Sequence, residues 1–454
     1  MDKYLSRSID QALLEWKDNP RRKPLLVRGA RQVGKSSTIR HLGKNFKYFL
    51  EVNVERNPEV MEFFKGSRDV KSIAAQLSDF FNVPVVPGET LLFLDEIQKC
   101  EDVIHSLWFF KEDYPELHVI AAGSLLEFAL KNLSSFGVGR VSSLFVYPMS
   151  FDEFLTATRQ EGLLRIKRNS SPTNPLPEAF YNRLVEAFRS YMLVGGMPEA
   201  VATYTETGSY RYSSDIVNEI IQGYQDDFAK YGAKANPLLL RQTLISVAHQ
   251  AGAKFVCSRV EGQYRSAEVK VALEMLKDAG LIIPTYHTDA NGVPLGAEIN
   301  ERVVKYLIHD TGVLLGILGI DDDIDERIKE MMVADSIDLV DKGHVAEMMA
   351  GLELIKYSSP QTRHQLYYWQ NMNKGTCAEV DYVIARSGSI VPIEVKSGVK
   401  GSMSSMYSLM RNPQKHIEMG IRCSLENFGT FASPDGKKID IIPLYAISNL
   451  FAEK

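Results

Sequence analysis

Three groups of residues carry the types and spacing that chemistry needs. The first is Gly29-Ala-Arg-Gln-Val-Gly34-Lys35-Ser36, which satisfies GxxxxGK(S/T) without mismatch. It follows an apolar run, Pro24–Val27, and opens a helix-like stretch, Ser36–Leu42. Glycines at Gly29 and Gly34 let backbone N–H groups close around phosphate oxygens, and the helix N-terminus adds a favourable dipole. Lys35 is expected to reach the β- and γ-phosphates, the Ser36 hydroxyl to bind Mg²⁺, and Ser37 to complete the loop.

The second group is Leu91-Leu-Phe-Leu-Asp95-Glu96, an apolar run ending in two carboxylates. Such a run suits a strand buried on both faces of a parallel sheet. Asp95 at its end is placed to hold Mg²⁺ through water, and Glu96 to polarise an attacking water as general base. The next strand-like run ends in Ala121-Ala-Gly-Ser124. Ser124 either orients the water or γ-phosphate, or caps the helix Leu125–Lys131. Arg140, in GVGR, is either an arginine finger acting across the boundary of a homo-oligomer or an ordinary surface arginine. No NKxD guanine-reading motif is present, which favours ATP over GTP.

The third group is Asp381 followed by Glu394-Val-Lys396, with Gly388 turning between two apolar runs. Residues i and i+2 of a strand share a face, so Glu394 and Lys396 point one way while Ile393 and Val395 point the other. A hairpin brings Asp381 beside them. This is the Asp…Glu-x-Lys pattern of a Mg²⁺-dependent phosphodiesterase: two carboxylates for the metal, and a lysine to position or activate the water. Glu347, on a preceding helix, is a candidate to orient the site or help bind a second metal, and Glu379 is a reserve ligand. The bland alternative is a solvated salt-bridge patch on a hairpin.

These groups need elements to hold them. Apolar runs at Pro24–Val27, Phe49–Val54, Leu91–Leu94, Val119–Ala122 and Leu144–Val146 alternate with helical stretches, which predicts an α/β unit with a mostly parallel sheet. From Ser150 onward helical patterns dominate (Ser150–Arg159, Glu178–Met192, Tyr212–Tyr231), broken by the loop NSSPTNPLP, and read as a helical lid. Pro237–Ile320 reads as a winged helix. Leu238–Ala251 and Arg265–Ala279 are helical, and strand-like Leu281–His287 and Arg302–Ile308 form the wing. Val269, Ala272, Leu273 and Leu276 share one face of the second helix, Ser266 is placed to cap it and Gly280 to end it. Its Arg265, Lys270 and Lys277 suit a DNA groove, but Lys254–Lys277 nets only +2, so DNA contact and a structural or protein-docking role weigh evenly. Asp321–Asp341 is acidic and reads as a solvated face or linker. A helix near His344–Lys356 and strand-like runs Gln365–Gln370, Glu379–Ala385 and Ile390–Val395 then carry the third group. The expected modules are 1–149, 150–235, 236–320 and 321–454.

The chain has 454 residues, 45% apolar and 24% charged, as in soluble globular proteins. Its net charge of −5 argues against a generally basic nucleic-acid binder, not against a local basic groove. No signal peptide or membrane-spanning run is visible. Cys100, Cys257, Cys377 and Cys423 are widely spaced and read as reduced thiols of a cytoplasmic protein.

An ordered series of segments resembles a bacterial and archaeal family of AAA+ ATPases with a C-terminal domain of unknown function related to the PD-(D/E)xK nuclease fold. The series is GARQVGKSS, LLFLDEIQ, AAGSLLEF, GRVSSLFVYPMSFDEFL, GGMPEAV, KYLIHDTGVL, YYWQ, EVDYVI and PIEVKSG, spread over nearly the whole chain. The resemblance implies a multidomain α/β protein. Its parts would be a P-loop AAA+ parallel sheet with a helical lid, a winged-helix domain, and a C-terminal restriction-endonuclease-like α/β domain. It implies ATP and Mg²⁺ at Gly34, Lys35, Ser36 and Asp95, with Glu96 as the hydrolytic glutamate. Ser124 replaces the asparagine common in AAA+ proteins, and no second sensor arginine can be placed, which suits slow hydrolysis with ATP as a switch. Two functions follow: an ATP-regulated enzyme cutting DNA, or a nucleotide-controlled binding protein whose nuclease-like domain is inactive. A weaker third is a nucleotide sensor that never hydrolyses.

Overall fold

The computed structural model describes residues 4–132, 139–231, 236–319, 344–371, 378–398 and 401–451. The acidic segment Asp321–Asp341 and Cys377 lie outside the described residues. The chain divides into two compact units.

Unit 1 comprises residues up to Tyr147 with two short later segments, Asp278–Gly280 and Ser359–Arg363. Its sheet has five strands: β1 (Leu25–Arg28), β2 (Tyr48–Asn53), β3 (Thr90–Asp95), β4 (His118–Ala122) and β5 (Ser142–Phe145). Their order is β2-β3-β4-β1-β5, and every pairing is parallel. Among the described residues, α1 (Ile9–Asp18) precedes β1, and α2 (Lys35–Gly43), α3 (Met61–Phe64), α4 (Val70–Phe81), α5 (Glu101–Asp113) and α6 (Leu126–Asn132) lie between the strands. All five apolar runs found in the sequence are strands. β3 is buried along its whole length, as a strand covered by helices on both faces must be. Because the strands are parallel, their carboxyl ends lie at one edge of the sheet. The loops after β1, β3 and β4 emerge there, and these loops carry the phosphate-loop motif, the Asp95-Glu96 pair and Ser124.

Unit 2 holds the rest. Helices α7 (Phe151–Ala157), α8 (Glu161–Arg168), α9 (Glu178–Val194), α10 (Pro198–Thr207) and α11 (Tyr210–Asp227) form its first part. The Ser150 side chain and Glu153 make a reciprocal capping box that starts α7. Two of these helices, α8 and α10, escape the sequence reading. α8 has only eight residues, four of them charged, and α10 starts abruptly at Pro198 after two glycines.

α12 (Pro237–His249) and α13 (Ser266–Asp278) follow, then β6 (Ile282–Thr288), β7 (Ile299–Ile308) and α14 (Thr311–Ile317). Val269, Ala272, Leu273 and Leu276 are buried along α13 as the spacing requires, and Gly280 takes a left-handed φ of +77°. Ser266 is not the cap expected of it. It is the first helical residue, and Glu268 instead accepts from the Arg265 N–H.

The hairpin read as a wing does not stand apart. β6 pairs antiparallel with β7 on one side and parallel with β8 (Leu366–Gln370) on the other, and β8 pairs with β9 (Glu379–Val380). The four form one sheet, β7-β6-β8-β9, which runs across the expected boundary at residue 320. A second sheet has the order β10-β11-β12-β14-β13. Its strands are β10 (Tyr382–Arg386), β11 (Ser389–Val395), β12 (Met419–Ser424), β13 (Gly429–Ala432) and β14 (Lys438–Pro443). Helices α15 (His344–Lys356) and α16 (Ser404–Arg411) belong to the same unit. The run Glu379–Ala385 is therefore two strands: β9 ends in the first sheet, β10 begins in the second, and Asp381 is the single residue between them. Val380, Val383, Ile390, Met406, Leu409 and Ile439 share a buried core around this junction.

Candidate functional site

In unit 1 the loop after β1 needs three unusual backbone conformations. Gly29 has φ +147°, Gln32 +66° and Gly34 +94°. A side chain on Gly29 would put its Cβ 2.2 Å from the Val146 carbonyl oxygen, so glycine is demanded by space as well as by φ. α2 starts at Lys35, and Thr38 Oγ1 donates to the Gly34 carbonyl at 2.9 Å. Lys35 is buried, and its ammonium donates to the carbonyls of Gly29 (2.9 Å) and Ala30 (2.7 Å). Burial pushes its pKa down to about 8, against the pull of Glu96 and Asp95. Ser37 is exposed on the first turn of α2.

Ser36 Oγ donates to Asp95 Oδ2 at 3.1 Å, although the two are 59 residues apart. Burial, then the neighbouring Glu96, raises the Asp95 pKa. The pair meets because β3 and the loop after β1 end at the same sheet edge, and a magnesium ion fits a hydroxyl and a carboxylate so placed. Glu96 takes a left-handed φ of +53°, which turns its side chain out of the strand direction. Glu96 Oε2 accepts from Gln98 Nε2 (2.5 Å), from Ser124 Oγ (3.2 Å) and from the Ser124 N–H (3.4 Å). The Ser124 hydroxyl thus meets Glu96, a contact that neither sequence reading of Ser124 named. Gln98 was missed in the sequence. Its amide lies against Gly123, where an added Cβ would sit 2.0 Å from Gln98 Oε1. The only sequence signal was its place two residues beyond Glu96.

Arg140 stands apart from this group. It precedes β5, whose first residue Ser142 pairs with Leu25 at the start of β1. Arg140 therefore lies at the amino edge of the parallel sheet, opposite the phosphate loop. Its Nε donates to Glu112 at 2.6 Å, and its guanidinium lies 4.3 Å from the centroid of the Trp108 ring.

In unit 2, the sheet junction brings the third group together. Tyr382 pairs with Ile393, so the next step of the register sets Asp381 beside Glu394. Asp381 Oδ2 accepts from the Val395 N–H at 2.7 Å, and Lys396 Nζ donates to Glu394 Oε1 at 2.7 Å. Glu394 is buried, and its Oε2 has no hydrogen-bond partner. Asp381 and Glu394 are both pushed up to about 7, by loss of water and then by neighbouring carboxylates: Glu347 for Asp381, and Asp381 for Glu394. An unpartnered buried carboxylate oxygen facing a second carboxylate fits a cation.

Glu347, the candidate to orient the site or help bind a second metal, is held by a lysine. Lys305, on β7, donates to Glu347 Oε1 (2.9 Å) and to Glu379 Oε1 (2.5 Å). Among the described residues, no three His, Cys, Asp or Glu side chains are grouped to hold one metal ion. The sequence reading missed Lys305. Its signal was alternation: Val303, Lys305 and Leu307 form the buried face of a strand, and a lysine there needs a partner.

Arg265, just before α13, and Lys270 on it are exposed, whereas Lys277 is drawn to Glu274. Cys100, Cys257 and Cys423 are free thiols. Among the described residues no helix is long and apolar enough to cross a membrane.

Three family models match separate stretches of the chain. Residues 21–155 match the AAA domain family, which supports unit 1 as a nucleotide-binding AAA-type α/β module. Residues 185–324 match a domain of unknown function (DUF8612), and residues 342–447 match another (DUF4143). No curated protein matches the chain. Among solved structures, the chain is similar to the Orc1 protein of Aeropyrum pernix in complex with DNA. The identity is 12%, the match covers 72% of this chain and 95% of that one, and the TM-score is 0.30.

Proposed function

We propose that the protein is an ATP-hydrolysing AAA+ protein whose C-terminal region holds a Mg²⁺-dependent phosphodiesterase site acting on DNA. The observation that carries the ATPase half is the convergence of Lys35, Ser36, Asp95 and Glu96 at one sheet edge. Lys35 exchanges its loop carbonyls for the β- and γ-phosphates. Ser36 and Asp95 hold the magnesium ion, which neutralises charge on the phosphates. Glu96 takes a proton from the water that attacks the γ-phosphorus, and the bond to the β–γ bridging oxygen breaks. Ser124 and Gln98 fix the direction of the Glu96 carboxylate. Arg140, at the far edge of the sheet, serves a neighbouring chain's nucleotide in a homo-oligomer.

In unit 2, Asp381 and Glu394 hold one Mg²⁺ and Lys396 positions the attacking water. Arg265, preceding α13, and Lys270 on α13 are the candidate phosphate contacts for DNA, in a winged-helix role. A second reading is favoured by Lys305, which already neutralises Glu347 and Glu379. In that reading the nuclease-like region binds nucleic acid or a protein without cutting, under nucleotide control. Plasmid incubated with Mg²⁺ or Mn²⁺, with and without ATP, decides between them. Metal-dependent cleavage lost in Lys396→Ala supports the phosphodiesterase. Absence of cleavage in every condition, with salt-sensitive DNA binding retained, establishes the binding protein.

A further inference from the structure

Four carboxylates gather at the sheet junction: Glu347 from α15, Glu379 from β9, Asp381 between β9 and β10, and Glu394 from β11. Two ammonium groups, Lys305 and Lys396, face them. With all six ionised, the cluster keeps a deficit of two positive charges, which one divalent ion makes up and two would exceed.

The two lysines are not equivalent. Lys396, the residue after β11, reaches back to Glu394 and stays partly open to water. Lys305 is 1% exposed. It rises from the inward face of β7 between Val303 and Leu307, and its ammonium lies between two carboxylates contributed by two other elements. The Tyr368 ring centroid is 4.9 Å away on a further side. The carboxylates sort accordingly: Glu347 and Glu379 are bound to Lys305, while Glu394 Oε2 has no partner.

We propose that Lys305 is a resident cation of this site, holding Glu347 and Glu379 in place of a metal and so confining divalent-ion binding to Asp381 and Glu394. This rests on the carboxylate site assigned above but not on its cutting anything. A buried carboxylate pair needs a counter-charge, and an ammonium built into the strand supplies it without metal. The site is then a one-ion site by construction, and the clamp of two metals 3.5–4 Å apart, about the usual spacing, is closed to it.

The test is Mn²⁺ binding to the nucleotide-free full chain, counted by electron paramagnetic resonance, in wild type and Lys305→Met. The variant is expected to gain one bound Mn²⁺ over wild type and to lose it again in Lys305→Met/Glu347→Gln. Equal stoichiometry in wild type and Lys305→Met overturns the proposal. A gain in Lys305→Met with no wild-type site sensitive to Glu394→Gln leaves Lys305 in its role and sinks the phosphodiesterase reading instead. If Lys305→Met folds only with Mn²⁺ present, the ion has taken the ammonium's place, as proposed. If it fails to fold even with Mn²⁺ while Lys305→Arg folds, the proposal is overturned.

Discussion

Replacing Glu96 by glutamine separates binding from chemistry in unit 1. Glu96 Oε2 collects three donors, from Gln98 Nε2, Ser124 Oγ and the Ser124 N–H, at 2.5–3.4 Å. A glutamine side chain keeps its carbonyl oxygen for these donors and turns its amide to the other side, so the shape of the site survives. Lys35, Ser36 and Asp95 make no hydrogen bond that depends on the lost charge. ATP affinity should therefore stay within about threefold, or ~0.6 kcal/mol. A positioned base is worth 10²–10⁴ in rate, so turnover should fall by roughly that factor, which is ~2.7–5.4 kcal/mol of barrier at ~1.36 kcal/mol per decade. The assay pairs single-turnover phosphate release with equilibrium binding of a fluorescent ATP analogue, both with Mg²⁺. Turnover unchanged within a factor of three would remove Glu96 from the chemistry. Turnover and affinity lost together would mean that the side chain holds the loop rather than the water.

Gly29→Ala should abolish nucleotide binding while leaving the chain folded, because its Cβ lands 2.2 Å from a carbonyl oxygen and its φ of +147° suits only glycine. Far-ultraviolet circular dichroism beside the binding assay checks this, and wild-type affinity in the variant would refute the argument from space. Arg140→Ala and Glu96→Gln should each be inactive alone and should recover turnover when mixed, since the first keeps the base and the second keeps the finger. Failure to recover, in a mixture shown to co-assemble, would leave Arg140 as a surface arginine held by Glu112 and Trp108.

The phosphate loop, its strand and its helix were legible because they are contiguous. Gly29 to Ser36 must adopt one backbone path to do anything at all, and the residue types record that path. Asp95-Glu96 was legible for a related reason: an unbroken apolar run ending in carboxylates is what a strand covered on both faces must look like. Ser36 and Asp95, assigned to one magnesium ion by their motifs, meet because of the strand order β2-β3-β4-β1-β5, which local pattern does not encode.

In unit 2, the alternation along the strands sets their faces, so Glu394 and Lys396 on one side and Asp381 across a hairpin were expected, and the structure brings them together. Long-range strand pairing set the fate of Glu347, of Glu379 and of the hairpin read as a wing. β6 pairs with β8 across some eighty residues of chain, and that pairing carries β7 and Lys305 into the carboxylate cluster. A residue's own neighbours dictate which way its side chain points. Which distant charge it meets there depends on how separate strands choose partners, and that choice is made by the burial of a whole sheet rather than by any local run of sequence.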